Sequence, residues 1–225
     1  MVNESPTVLT TGTQVPLKGI KRVAARRMVQ AWEAPVFHLS TEVKMEAALT
    51  LAKKKPGNTV TDVLIQAVAS VLIENPELNA HYVDEVVTLY SEINIGIAVA
   101  TSAGLMVPVV QNVGGEDLNA IAAKRSDVVN KARDGKLSMP DIEGATFTIS
   151  NLGPLGIDSF DAIVNPPQVA ILAIGSTKES AVVEEGSIVI RKIATFTLTC
   201  DHRALDGATG AKFLSSLRNI IESMK

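Results

Sequence analysis

The chain has 225 residues, of which 46% are apolar, 4% aromatic and 20% charged, and its formal net charge is −3. This composition excludes disordered, collagen-like and disulfide-rich classes, and a chain of this length can bury one large core. The mild acidity and the lack of a Lys/Arg run argue against nucleic-acid binding, which requires a basic surface. A single cysteine, Cys200, allows neither an internal disulfide nor a cysteine-based zinc cluster.

Two stretches bear on targeting and membranes. Residues 1–14 are polar, as in a flexible arm or the end of a linker, and lack the basic start and apolar run of a secretory signal. Residues 93–115 carry no charge and could span a bilayer by length, but four glycines and a proline interrupt them. We interpret them as two buried strands joined by a tight turn near 101–104, and we expect no membrane association.

Hydrophobic periodicity and turn residues predict the order of elements along the chain. In sequence these are an amphipathic helix closed by Pro35, a strand over 36–45, a short helix over 46–55, an apolar helix ending near 75, a hairpin over 81–90, the strand pair, a helix over 117–133, strands over 146–153 and 168–175, a hairpin over 180–192, a strand over 193–202 and a helix over 207–224. Because helices are mixed with neighbouring hairpins, we predict an α+β fold in one domain over residues 15–225.

The three histidines are the candidates for acid–base chemistry. For His38 on its strand and His81 at a hairpin, the packed and the solvent-exposed roles respectively are favoured. The spacing of the three does not match a catalytic metal site. His202 ends an apolar strand, lies between Asp201 and Asp206, and is well placed to face a cleft. With a pKa of about 6.5, an imidazole can take a proton from a thiol and return it. A capping role for the Asp-His-Asp cluster is the alternative.

Two more polar side chains lie in apolar surroundings. Cys200 precedes His202 by two residues, and two strand steps of about 3.3 Å make a direct thiol–imidazole hydrogen bond awkward. A buried structural cysteine is therefore favoured over a nucleophile. Ser150 ends a strand before the loop Asn151–Gly156, where its hydroxyl either approaches a ligand or is satisfied by backbone. The glycines of that loop match neither a phosphate loop nor a dinucleotide fingerprint.

Four ordered segments together resemble one family. Residues 201–207 read D-H-R-A-L-D-G, and residues 146–175, 104–113 and 15–28 match further family pattern. The sequence is similar, over residues 14–224, to the catalytic domain of the dihydrolipoamide acyltransferases, the core subunits of 2-oxo acid dehydrogenase complexes. An H-x-x-x-D-G motif alone is a weak signal, and the ordered set is a strong one. The serine at position 150 resembles the acetyl-transferring members most.

The resemblance implies both a fold and a site. The fold is chloramphenicol-acetyltransferase-like, a mixed sheet flanked by helices, in a homotrimer with interfacial active sites. His202 is implied as the general base, Ser150 of a neighbouring subunit as the oxyanion donor, and Asp206 as the residue that orders the histidine loop. Coenzyme A and a lipoyl group supplied by a separate lipoyl domain are the implied substrates, and no metal is needed. Arg22 and Arg27 are candidate coenzyme A partners, although a solvated basic face is the alternative.

The same resemblance implies partners and a compartment. We expect association with other subunits of a 2-oxo acid dehydrogenase complex, most like the pyruvate dehydrogenase complex, in a cytoplasm or an organelle matrix (mitochondrion or plastid). Two alternatives stay open: an acetyl-CoA-dependent transferase for another small acceptor, and a non-catalytic structural core subunit. The presence of His202, Ser150 and Asp206 argues against the structural subunit.

Overall fold

The computed structural model describes residues 12–54 and 56–224. Residues 1–11 of the predicted arm lie outside the described residues. The helices are α1 (Gly19–Trp32), α2 (Glu46–Lys53), α3 (Val60–Glu74), α4 (Leu118–Arg133) and α5 (Gly207–Ser223). The strands are β1 (Val36–Lys44), β2 (Ala80–Val83), β3 (Val86–Leu89), β4 (Ile95–Ile97), β5 (Val99–Thr101), β6 (Gly104–Met106), β7 (Val109–Val110), β8 (Phe147–Asn151), β9 (Ala170–Ile174), β10 (Lys178–Glu184) and β11 (Ser187–Asp201). Among the described helices, none is long and apolar enough to cross a membrane.

A mixed sheet of seven strands organises the fold. Its order is β1-β11-β9-β8-β4-β7, and β10 pairs with the first half of β11. Strand β8 runs parallel to both β9 and β4, whereas the other neighbours are antiparallel. Strands β2 and β3 form one separate hairpin, and β5 and β6 form another. The predicted α+β fold, a mixed sheet flanked by helices, is confirmed.

One face of the sheet builds the core. Leu39, Leu198, Leu172 and Ile149 lie opposite one another on β1, β11, β9 and β8. They join the core cluster together with Phe213 of α5 and the apolar residues of α3. Full burial of such a side chain stabilises the fold by about 1.5–3 kcal/mol, so this face fixes the register of the central strands.

The opposite face is polar along the same strands. Ser40, Thr197, Ala173 and Ser150 lie in one row across β1, β11, β9 and β8, and the hydroxyls of Ser40 and Thr197 are 2.9 Å apart. Residues 160–164, which follow β8 in the chain, pack on β9 and cover part of this face. Ser150 therefore belongs to a polar face of the sheet rather than to the core.

Two predicted elements differ from the structure. The uncharged stretch 93–115 forms four short strands instead of two, because β4 and β7 join the main sheet while β5 and β6 turn back on each other at 101–104. The predicted strands before and after residue 193 are one continuous strand, β11, of 15 residues. Its first half pairs with β10 and its second half with β1 and β9, so no turn is needed between them.

Helix α1 forms as predicted, but its apolar stripe does not pack into the core. Only Ala31 of this helix is buried, whereas Val23 is 56% and Trp32 78% exposed. Met28, Val29 and Trp32 of this helix, together with Ile163, line one mostly apolar surface. An exposed apolar surface of this kind is typical of a face that contacts another protein.

Candidate active site

The loop that carries His202 connects the end of β11 to the start of α5. Asp201, the last residue of the strand, lies opposite Val36 of β1. The His202 amide donates to the carbonyl of Pro35 at 2.8 Å. The carbonyl of Asp201 accepts from the amides of Ala204 and Leu205 at 3.1 and 3.0 Å. Backbone hydrogen bonds therefore fix the chain on both sides of the histidine.

The imidazole of His202 is held on one side and open on the other. The residue is exposed, and its ring packs against Phe37 with ring centroids 4.7 Å apart. Within the described residues, neither ring nitrogen has a hydrogen-bond partner. Such a ring can exchange a proton with a bound molecule without first breaking a bond inside its own chain.

Asp206 orders the far side of this loop. It is the N-cap of α5, and its carboxylate accepts from the amide of Thr209 at 2.8 Å. Hydrogen bonds from the Thr209 amide and hydroxyl lower the pKa of Asp206, with smaller contributions from the Ala208 amide and from His202. The carboxylate is thus committed to the helix start, and it fixes where the loop ends rather than holding the imidazole directly.

Asp201 and Arg203 form an ion pair that the sequence analysis missed. The Asp201 carboxylate is buried, and it accepts from the Arg203 amide at 3.0 Å, from Nε at 3.0 Å and from Nη2 at 2.6 Å. The guanidinium also lies over the ring of Tyr82, 4.3 Å from its centroid. The sequence could have indicated this pair, because an aspartate and an arginine flank His202. Two residues that are two positions apart at the end of a strand can form such hydrogen bonds with each other.

Ser150 lies at the end of β8, where the polar face meets a tight turn. It pairs with Ala173 of β9 and is half-buried. Its hydroxyl has no hydrogen-bond partner among the residues that the structure describes. In the following turn the Gly153 amide donates to the Asn151 side chain at 2.9 Å. A Cβ at Gly153 would come within 2.7 Å of the Gly175 carbonyl oxygen, so a glycine is required for this close approach.

The chain does not bring His202 and Ser150 together. Ser150, Ala173 and Thr197 lie in one row across the sheet, and His202 follows Thr197 by five residues, just past the end of β11. Strand geometry then separates the two by about 16 Å along the strand and about 10 Å across two strand spacings. One protomer therefore unites His202 with Asp206 but leaves Ser150 about 19 Å away.

The sequence analysis also singled out three further residues, Cys200, Arg22 and Arg27. Cys200 is fully buried on the core face, and burial raises the pKa of its thiol to about 12, with a smaller contribution from Asp201. This confirms a structural cysteine, because a thiol with such a pKa is protonated at neutral pH. Arg22 and Arg27 are exposed on α1.

The remaining histidines have hydrogen-bond partners. His38 Nδ1 lies 2.9 Å from the Thr199 hydroxyl on the polar face. The expectation of a solvent-exposed His81 was wrong, because its ring is half-buried, with Nε2 2.9 Å from the Ala145 carbonyl oxygen and Nδ1 3.0 Å from the Tyr90 hydroxyl. In the described part of the chain, no group of three or more His, Cys, Asp or Glu side chains is arranged to hold a metal ion.

The fold and the histidine loop define the class of protein. The structure superimposes on chloramphenicol acetyltransferase with a TM-score of 0.60 at 15% identity, covering 87% of this chain and 94% of that one, which shows a shared fold. Residues 10–225 match the family of 2-oxoacid dehydrogenases acyltransferase (catalytic domain). The chain belongs to this family, as the resemblance of its motifs predicted.

Individual relatives agree with this assignment. The chain is 35% identical over 218 residues to the acetyltransferase component of the pyruvate dehydrogenase complex of Rickettsia bellii, covering 92% of this chain and 52% of the relative. It is 36% identical over 228 residues to the mitochondrial counterpart of Dictyostelium discoideum, covering 97% of this chain and 36% of the relative. The chain thus spans about half or less of the length of these curated relatives.

Solved structures match almost end to end. A probable dihydrolipoamide acetyltransferase from Listeria monocytogenes superimposes with a TM-score of 0.90 at 32% identity, covering 95% of this chain and 96% of that one. The Azotobacter vinelandii enzyme gives 0.88 at 30% identity, covering 95% and 92%. For that enzyme, a serine, a histidine and an asparagine were studied for their roles in catalysis, and they are 52 and then 4 positions apart. Ser150, His202 and Asp206 have the same spacing, with an aspartate in place of the asparagine.

Proposed function

We propose that this chain transfers an acetyl group between coenzyme A and a dihydrolipoyl thiol, as the catalytic core of a pyruvate dehydrogenase complex. The observation that carries the proposal is the exposed imidazole of His202, whose ring nitrogens lack partners in the described chain while its backbone is fixed. It lies in the loop that resembles the family's motif. The relatives described above carry the acetyltransferase activity in their names.

His202 acts as the general base in this proposal. A ring nitrogen takes the proton from the coenzyme A thiol, and the resulting thiolate attacks the carbonyl carbon of the acyl thioester on the lipoyl group. The tetrahedral intermediate then expels the dihydrolipoyl sulfur, which takes the proton back from the imidazolium. Neither a metal nor a covalent enzyme intermediate is needed for this proton transfer, and a positioned base of this kind contributes about 10²–10⁴-fold in rate.

Ser150 supplies the second element of the reaction. Its hydroxyl is unpaired within the described residues, and so it is free to donate to the oxyanion that forms on the thioester carbonyl. In a site that excludes water, one such donor contributes about 10²–10³-fold to kcat. The tight turn at Gly153 brings the chain after β8 close to Gly175, just after β9, which restrains the backbone that carries this hydroxyl.

The two groups meet in this proposal across a subunit interface. Their separation of about 19 Å within one protomer excludes a direct joint role in the same chain. In the proposed homotrimer, His202 of one subunit lies opposite Ser150 of the next. The exposed apolar surface formed by Val29, Trp32 and Ile163 is available for such an assembly. Asp206 keeps the histidine loop in register with the partner surface.

The substrates and surroundings follow from the same assignment. The lipoyl group comes from a separate lipoyl domain, and the remaining subunits of the complex are the partners. Arg22 and Arg27 are proposed to contact the phosphates of coenzyme A, and residues 15–225 to form the catalytic domain. The matched relatives include a bacterial and a mitochondrial protein, which supports a cytoplasm or an organelle matrix.

An acyl-transfer assay with acetyl-CoA and free dihydrolipoamide tests the reaction. The proposal expects acetyl-dihydrolipoamide to form in proportion to the enzyme. Transfer to small alcohols or amines but not to dihydrolipoamide would favour the other-acceptor alternative. Absence of any transfer from folded, assembled protein would favour the structural subunit.

Mixed assemblies test the interfacial site. Subunits carrying His202→Ala and subunits carrying Ser150→Ala are denatured together and refolded at a ratio of one to one. If each site takes one group from each of two subunits, random mixing restores about one site in four. Each variant refolded alone serves as the control. Failure of the mixture to exceed both controls, in assemblies shown to contain both variants, would contradict a shared site.

A further inference from the structure

The residue after the proposed base is itself built into a rigid arrangement. Arg203 donates to the Asp201 carboxylate through its backbone amide, Nε and Nη2, so that bonds close across His202 from both neighbours in the chain. His202 lies at the apex of this closed loop. We define the Asp201–Arg203–Tyr82 clamp as this ion pair together with the ring on which the guanidinium lies.

The clamp connects the histidine loop to a distant part of the chain. Tyr82 belongs to β2, and its amide donates to the Pro167 carbonyl at 2.8 Å. Arg203 therefore attaches the exposed loop to a hairpin and to the segment before β9, in addition to the strand that carries Asp201. A planar guanidinium suits this role, because it can pair with a carboxylate through two N–H groups and lie on an aromatic face at once.

The position of the clamp explains why an open loop can hold a base precisely enough for catalysis. His202 is exposed, and its ring contacts Phe37 alone among the described aromatic rings, so its side chain gains little order from packing. A displacement of about 1 Å at a reacting group can lower a rate by about 10²-fold. We infer that Arg203 is a positioning residue that sets the orientation of His202 through Asp201 and Tyr82. This inference rests on the proposed function of His202.

The burial of Asp201 separates this role from substrate binding. Asp201 is only 2% exposed, and Arg203 is the charged partner of its carboxylate. Two N–H groups of the guanidinium, Nε and Nη2, donate to this carboxylate, and we call this two-bond contact the fork. If Arg203 positions His202, removal of the fork should change kcat. A residue that binds the phosphates of coenzyme A would instead change KM.

The decisive experiment measures kcat and KM for coenzyme A in the assembled protein carrying Arg203→Gln. We expect kcat to fall by about 10²-fold while KM changes by less than about twofold. Arg203→Lys keeps the charge but loses the fork, so it should recover part of the lost kcat. Arg191→Gln is the matched control, because Arg191 forms the same kind of fork with Glu184 near the other end of β11 and should leave kcat unchanged.

A second variant guards against a folding defect. Arg203→Gln leaves a buried carboxylate without its charged partner, whereas the double variant Asp201→Asn/Arg203→Gln removes both charges and still lacks the fork. Should neither fold, Tyr82→Leu keeps the ion pair, removes the ring beneath it, and is expected to lower kcat several-fold. Wild-type kcat in the folded double variant, or in Tyr82→Leu if that is the only folded one, would overturn the inference. So would an effect confined to KM.

His202→Ala separates the two hypotheses. If this variant keeps full transfer activity, the proposed base is wrong and the inference fails with it. If His202→Ala is inactive while the folded clamp variants match the wild type in kcat, the base stands and only the positioning role of Arg203 is overturned.

Discussion

The backbone positions of His202 and Ser150 are fixed by different kinds of contact. Around His202, the side-chain hydrogen bonds are local, because Asp201, Arg203 and Asp206 lie within four residues of it. Pro35, Phe37 and Tyr82 add a few contacts from distant parts of the chain. Ser150 instead owes its position to strand pairing with Ala173 and to the close approach of two glycines that are distant in sequence. Hydrogen bonds among neighbouring residues, supported by a few distant contacts, thus hold the loop of the exposed imidazole, whereas the Ser150 hydroxyl depends on the pairing of strands.

Removal of the imidazole should have the largest effect. His202→Ala loses the base, and we expect kcat to fall by about 10²–10⁴-fold or below detection. The variant should keep the secondary structure and assembly of the wild type, because the ring is exposed. Steady-state assays with acetyl-CoA and dihydrolipoamide measure this change in kcat. Full turnover would show that His202 is not the base and that the hydrogen bonds around its loop have only a structural role.

Removal of the Ser150 hydroxyl tests the other half of the comparison. We expect Ser150→Ala to lower kcat by about 10²–10³-fold with little change in KM, because the bond to the oxyanion strengthens in the transition state. Ser40→Ala is the matched control, since Ser40 lies in the same row of the polar face but pairs with Thr197. An equal fall in kcat in the two variants would mean that Ser150 has no specific role and that the reaction depends on the polar face in general.

The helix cap at Asp206 should have a smaller effect. Asp206→Ala loses the hydrogen bond to the Thr209 amide, and we expect a lower melting temperature and a modest fall in kcat, whereas Asp206→Asn keeps the cap. The pKa of Asp206 lies below its ordinary value of 3.8 when folded. The charge therefore stabilises the wild type fully above that ordinary value, and this stabilisation is lost as the pH falls through the lower, folded value.

Denaturant titrations of the wild type and of Asp206→Asn at a series of pH values measure that contribution. Their difference in unfolding free energy should be constant at neutral pH and shrink below about pH 4. A difference that instead grows as the pH falls would contradict the lowered pKa.

Cys200 should show the smallest effect of all. It precedes His202 by two residues, yet its thiol is buried and has a pKa of about 12. Iodoacetamide at neutral pH should leave the native protein unlabelled and fully active, and it should label the unfolded chain rapidly. Fast labelling of the native protein would show that the end of β11 opens readily.

The sequence predicted the features that depend on neighbours along the chain. The helices, most strands, the His202 loop and its cap all follow from periodicity and short-range patterns. The family assignment followed from ordered motifs and was confirmed. The Asp201–Arg203 pair lay within the same motif, and it could have been found by asking what satisfies an aspartate at the end of a buried strand.

Features set by distant partners were not predicted. The ring of His81 is fixed by the Ala145 carbonyl, 64 residues away, and no local pattern announces that bond. The division of residues 93–115 into four strands depends on where β8 joins the sheet. Helix α1 shows the limit most clearly, because its periodicity is that of a helix packed on a core, whereas Ala31 is its only buried residue.

All residues of β1 pair with the second half of β11, so that Val36 lies opposite Asp201. The loop that carries the histidine can form only after these two strands have paired, and their facing residues Ser40 and Thr197 are 157 positions apart. Pairings of such long range slow folding, since the entropy of closing the loop is spent before the contacts form. A folding chain should therefore form its helices early and the loop that carries His202 late.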